Sequence, residues 1–237
     1  MHDKMMWFNE NIHYIFHANI VEWDMEKASL SVCERFGLLD SKEITRMRSL
    51  PKLEREKAMG MHQRGNKEFS NQLLSGIREI RRKFLEANGL DESNILSLHN
   101  DAIIFNSRKE IVSEIEGIRF HHDNTWDAYI RYGRVEIFYK VDEFGTGILE
   151  FKNVGKDKIQ EHTIGLNKYM INIFGYIENY DRNVLRYMRK FQQQYLQDKL
   201  PEYYYSSFGK VGDFKTTNFE LFAMMANIVV KEVNSWK

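Results

Sequence analysis

Ile95-Leu96-Ser97-Leu98-His99-Asn100-Asp101-Ala102-Ile103-Ile104-Phe105 sets two apolar arms around a polar centre. That is the pattern of a β-hairpin whose bend carries His99, Asn100 and Asp101. Upstream, Asn19-Ile20-Val21-Glu22-Trp23-Asp24 gathers β-branched and aromatic residues and reads as a strand ending on Asp24. Between the two lies a helix from Lys67 to Asn88, because Phe69, Leu73, Ile77, Ile80 and Phe84 recur at steps of four, four, three and four. Gly89 supplies its stop. Shorter helices are expected over Met25 to Arg35 and from Ser41 toward Ser49, with Ser41 as the cap. Downstream of the hairpin, Ala128 to Tyr132, Arg134 to Tyr139 and Gly147 to Phe151 alternate like strands and predict an antiparallel meander within Ile118 to Val154. Beyond it the spacing turns helical over Ile164 to Ile177, Asn183 to Leu200 and Asn218 to Trp236.

A β-rich centre followed by a helical tail predicts an α+β fold: a central antiparallel sheet, the Lys67 to Asn88 helix against one side, and a helical C-terminal third. The only prolines, Pro51 and Pro201, sit in no Gly/Ser-rich linker. A single domain is therefore expected, with an α+β portion over 1–155 and a helical portion over 156–237.

The 237 residues, 43% hydrophobic and 14% aromatic, are ample for a real core. Thirty-four basic residues balance thirty-four acidic ones, so any attraction to nucleic acid must come from local clustering. Cys33 is the only cysteine, and the first residues carry no signal-peptide apolar core, which fits a reducing cytoplasm. The longest apolar run, around Phe222 to Val230, is interrupted by Asn227 and is too short for a bilayer.

Asp24 and Asp101 each stand at a polar break in an apolar extended run. If the two strands pair, the carboxylates face one another, the arrangement that a pair of Mg²⁺ or Mn²⁺ ions about 3.5–4 Å apart requires for phosphoryl transfer. A helix N-cap for Asp24 and a turn position for Asp101 are the plainer alternatives. The densest basic cluster, Arg78, Arg81, Arg82 and Lys83, with Lys57, Arg64 and Lys67 upstream, is the best candidate for a phosphate-binding surface or else a solvated helix face.

Trp23-Asp24-Met25-Glu26-Lys27-Ala28-Ser29 resembles the first metal-binding motif of template-dependent polymerases, in which a strand delivers an aspartate into a turn and helix. His99-Asn100-Asp101-Ala102-Ile103-Ile104-Phe105 resembles the second, the His-Asp-Glu hairpin of family-A DNA polymerases, with Asn100 in place of the middle aspartate. The resemblance covers residues 19–105. It implies a compact palm-domain nucleotidyltransferase acting on nucleic acid and nucleoside triphosphates. Asp24 and Asp101 would hold Mg²⁺ or Mn²⁺, His99 would support Asp101, and Lys57, Arg64, Lys67, Arg78, Arg81 and Arg82 would meet phosphates, with Gln63 a further triphosphate contact. The basic helix takes the place of a fingers segment and the helical tail that of a thumb.

Three other readings compete. Asp142 with Glu150-Phe151-Lys152 has the order of a Mg²⁺-dependent nuclease site. His99, His121, His122 and Asp123 offer transition-metal ligands, although adjacent His121 and His122 on a strand point to opposite faces. Tyr203-Tyr204-Tyr205, Phe208, Phe219 and Phe222 would, if exposed, suit a non-catalytic subunit that binds nucleic acid or protein in a replication or transcription complex.

Overall fold

The computed structural model describes residues 4–153, 164–207 and 218–236. The fold is α+β, and the chain forms two compact units, Met1–Glu10 with Ile20–Thr125, and Asn11–Asn19 with Trp126–Lys237. The division thus runs at Thr125, with a short excursion at 11–19, and not at 155/156.

The first unit holds strands β1 (Met6–Phe8), β3 (Ile20–Met25), β4 (Ile95–His99), β5 (Ala102–Asn106), β6 (Glu114–Ile115) and β7 (Ile118–Trp126), in the spatial order β1-β4-β5-β3-β7-β6; β2 (Tyr14–Ile15) belongs to the second unit. The expected hairpin is β4–β5, and β5 pairs antiparallel with β3 in a register that sets Asp24 opposite Ala102 and Trp23 opposite Ile103. Side chains alternate across the pleat. Val21, Trp23 and Met25 therefore face the helices, and Glu22 and Asp24 share the opposite face.

Helices α1 (Ala28–Arg35), α2 (Ser41–Ser49), α3 (Lys52–Gln63) and α4 (Lys67–Ala87) connect β3 to β4. α1 starts later than Met25 because β3 continues through that residue, whose N–H donates to the Asp101 carbonyl at 3.3 Å, and because Lys27 turns the chain at φ 49°. The cap of α2 is Asp40, not Ser41: its side chain accepts the Glu43 N–H at 2.8 Å. All five stripe residues of α4 are buried in one cluster with Val32, Leu98, Ile103, Phe105 and Phe120. At Gly76 a Cβ would lie 2.5 Å from Val32 Cγ1, so glycine lets α4 approach α1.

In the second unit the predicted meander forms a separate sheet, β10-β9-β8-β2, from β2, β8 (Ala128–Tyr132), β9 (Val135–Val141) and β10 (Gly147–Lys152). Its Ala128, Ile130, Ile137 and Tyr139 pack with α5 (Ile164–Glu178), α6 (Asn183–Leu196) and α8 (Asn218–Ser235) in a second core. The short α7 (Glu202–Ser207) lies against α5 where Gly165 leaves room, since a Cβ there would sit 2.7 Å from Tyr204 Cα. Among the described residues no helix is long and apolar enough to cross a membrane.

Candidate functional site

β3 and β7 are neighbours in the sheet, and the residues they present on one face converge. Glu22, Asp24 and Asp123 each offer a carboxylate oxygen within 4.8 Å of the others. Glu22 is 4% exposed, and Asp24 Oδ1 is buried with no hydrogen-bond partner. Burial pushes the Asp24 carboxyl up to about 6, and the carboxylates of Glu22, Asp101 and Asp123 push it the same way while His121 opposes them. A buried carboxylate oxygen without a donor, among other carboxylates, is costly unless something positive satisfies it. Oxygen-only ligands suit a hard cation such as Mg²⁺ or Mn²⁺.

Asp24, Asp101 and Asp123 form one wall of a cleft of about 780 Å³ within the first unit. α3 adds Lys52, Arg55, Glu56, Met59, Gly60 and Gln63 to the lining, at the spacing of one helical face. α3 is fixed to α2 by His62, whose ring nitrogen lies 2.8 Å from Glu43 Oε1. Hydrogen bonds from Arg46 and His62 hold the Glu43 carboxyl down at about 2. Lys27, Ala28 and Ser29 complete the cleft at the start of α1, which has no acidic residue in its first turn and no side-chain cap. Such a helix end favours an anion.

The sequence-predicted residues separate into two groups. Asp24 and Asp101 are brought together, with Gln63 in the same cleft. None of Lys57, Arg64, Lys67, Arg78, Arg81 and Arg82 lines it. Lys57 lies on another face of α3, and Arg64 and Lys67 are exposed around the α3–α4 junction. Arg82 pairs with Glu86 at 2.5 Å. Arg81 is 1% exposed, and its guanidinium donates to the carbonyls of Met5 at 3.0 Å, Asn100 at 2.7 Å, and Lys4. Burial and the neighbouring Arg78 hold its pKa down at about 10, against the pull of Asp101. Arg81 therefore holds the turn that presents Asp101, and phosphate does not reach it.

His99 Nε2 meets the Ser97 hydroxyl at 3.1 Å and its ring meets the edge of Phe8. His121 lines the cleft, whereas His122 sits on the other face against Trp23 and Thr125. No common transition-metal site results. In the second unit, Asp142 Oδ1 accepts the N–H groups of Phe144 and Thr146 at 2.9 and 2.7 Å. Glu150 pairs with Phe138, four residues before Asp142, so the two are about 13 Å apart along the strand. Lys152 lies over the Trp126 and Phe138 rings and reaches Glu150 Oε1 at 3.6 Å, so Asp142 is the member that stands apart. The nuclease triplet is not assembled. The tyrosine triplet is partly buried: Tyr204 packs against Phe191, and the Tyr205 hydroxyl accepts the Leu200 N–H at 3.1 Å. Phe208 and the side chains of Phe219 and Phe222 lie outside the described residues.

Sequence reading missed Glu22, Lys52 and Arg55, and it grouped Asp123 with the histidines and not with Asp24. Period-two spacing to Asp24 would have found Glu22, and the same spacing pairs His121 with Asp123. No match is found among curated proteins. The sequence model of the family described as bacteriophage PBS1 gene 130 protein matches residues 1–234, and the chain belongs to that family.

Proposed function

We propose that the first unit is a compact, palm-like, Mg²⁺- or Mn²⁺-dependent nucleotidyltransferase acting on a nucleic-acid end with nucleoside triphosphates. The observation that carries this reading is the buried, unpartnered Asp24 oxygen, which lies beside Glu22 and Asp123 in a cleft that Asp101 also lines together with the cations Lys27, Lys52 and Arg55 and the carboxylates Glu26 and Glu56.

Asp24, Asp101 and Asp123 would hold the cations, with Glu22 behind them. When bound, these ions neutralise phosphate oxygens and favour ionisation of an attacking hydroxyl. The chain's own residues bind and orient. Lys52 and Arg55 meet the negative charge of a triphosphate, and the first amides of α1, with Lys27 beside them, favour its terminal oxygens. The order β4-β5-β3-β7 supports the palm-like reading, because it makes β3 and the β4–β5 hairpin neighbours and leaves β7 to add a third carboxylate.

The test is incubation of the purified chain with a labelled primer and template, Mg²⁺ or Mn²⁺, and nucleotides, beside Asp24→Asn and Asp101→Asn. Nucleotide-dependent lengthening that disappears in both variants is the expected result. Lengthening retained in both removes the proposal. Binding without a change of length points to a non-catalytic nucleic-acid-binding subunit.

A further inference from the structure

The second unit carries a surface that the cleft chemistry does not use. α6 and α8 flank a groove of about 480 Å³ with Tyr169 of α5 among its lining. α6 contributes Leu185, Met188 and Leu196, a stripe about 16 Å long. α8 contributes small or branched side chains at Ala223, Ala226 and Val230, which keep the furrow open. Leu196 is 73% exposed, and Val230 is 46% exposed. Apolar side chains so exposed along one furrow, unlike scattered surface leucines, mark a contact surface.

Charge selects the occupant. Between Asn183 and Leu196 the helix carries Arg186, Arg189 and Lys190 and no carboxylate. All three are exposed, and among the described residues none has an ion-pair partner. Arg189 lines the groove itself, Arg186 stands one turn before it beside the furrow, and Lys190 lies further round the helix, where it adds to the local positive charge. A second copy of this chain would bring the same basic rim and be repelled. A phosphate backbone would find cations at the rim, yet it would bury an apolar furrow it cannot fill. A third helix fits both features, its side-chain ridge in the furrow and its acids beside the basic rim.

We propose that the α6–α8 groove docks an amphipathic helix of a partner protein, with apolar residues at i, i+3, i+4 and i+7 in the furrow and acidic residues facing Arg189 and Arg186. This inference is independent of the chemistry assigned to the first unit.

The experiment uses the full chain and two labelled helical peptides of about 18 residues. They share one leucine stripe and differ only in carrying Glu or Lys beside it. Fluorescence anisotropy at low salt should show the Glu peptide binding about tenfold more tightly, with the preference reversed in Arg189→Glu. Leu196→Asp, at an exposed position, and Ala226→Trp, which fills the furrow, should each weaken the Glu peptide about tenfold. Circular dichroism confirms that each variant folds, and Leu196→Asp carries the test if Ala226→Trp does not. Equal binding of the two peptides overturns the proposal. So does a dimer abolished by Leu196→Asp, or a single-stranded oligonucleotide whose binding is lost in Arg189→Glu but untouched by Leu196→Asp.

Discussion

Two hairpin turns in this molecule each carry an aspartate that sequence reading offers as a metal ligand, and they use it in opposite ways. In the β9–β10 turn, Asp142 Oδ1 accepts two N–H groups of its own turn, and Gly145 takes the positive φ of 78° that the tight bend needs. The carboxylate is spent on local structure. In the β4–β5 turn the work is done from outside. The Asn100 N–H donates to the Met5 carbonyl at 2.8 Å, the Asn100 carbonyl accepts Arg81, and the Asp101 carbonyl accepts Met25. The Asp101 carboxylate is not among the acceptors that hold this turn, and it lines the cleft. A turn stabilised by a remote arginine keeps its aspartate available; a turn stabilised by its own aspartate does not.

Substitution at the two cleft aspartates breaks this comparison most sharply. On the proposed function, Asp24→Asn and Asp101→Asn are each expected to lower nucleotide transfer by about 10³-fold or more, since each removes a carboxylate that would hold a cation. Asp142→Asn should leave the rate within about twofold. Primer extension measures all three, and a large loss in Asp142→Asn would mean that the two turns are not functionally distinct.

The next effect tests the external brace. Arg81→Ala removes three charge-assisted hydrogen bonds to part-buried carbonyls, and the expected cost is about 2 kcal/mol, read as a lowered denaturant midpoint. Arg81→Lys keeps the charge but cannot fork among three acceptors. It should recover most of the stability and still bind Mn²⁺ more weakly, because the Asp101 turn is looser. If Arg81→Lys restores stability and Mn²⁺ affinity together, Arg81 holds the core and not the ligand. Gly76→Ala, whose added Cβ would meet Val32 and Phe36, should cost about 1–3 kcal/mol by forcing α4 from α1, with Mn²⁺ affinity unchanged.

These contrasts show which parts of the site a sequence can display. The hairpin and the α4 helix were legible because strand alternation and helical stripes are local. The pairing of Asp24 beside Asp101 followed from both sitting where apolar strands end. The role of Arg81 was legible in principle: Phe69, Leu73, Ile77 and Arg81 form one row at steps of four, so position marks it as buried while its charge suggests surface. Position wins because three carbonyls are there to pair with it. α3 escaped because only Met59 among its residues is buried, so its sequence shows no apolar face, and Lys52 and Arg55 escaped with it. Alternation also says that β7 and β8 are strands, but not that β7 joins one sheet and β8 another. That depends on long-range pairing, which no local period encodes.

A smaller effect, opposite in sign at the two kinds of aspartate, gives the comparison its finest test. Asp142→Ala removes the acceptor of two turn N–H groups and should cost about 1 kcal/mol at neutral pH. Asp24→Asn should do the reverse. The Asp24 carboxyl is raised from 3.8 to about 6 in the folded chain, so the folded state holds this proton more tightly than the unfolded state does. Its ionisation costs nothing below about pH 4, where both states are protonated, and the cost grows through the window up to about 6 and is complete above it. After allowance for partial solvent exposure the gain on removing that charge is on the order of 1 kcal/mol. Thermal unfolding at about pH 7.5 without divalent ions should therefore find Asp24→Asn more stable than the parent, with the difference vanishing near pH 4. Added Mn²⁺ should reverse the order by stabilising the parent alone. A destabilised Asp24→Asn at neutral pH would mean that Asp24, like Asp142, is spent on the fold.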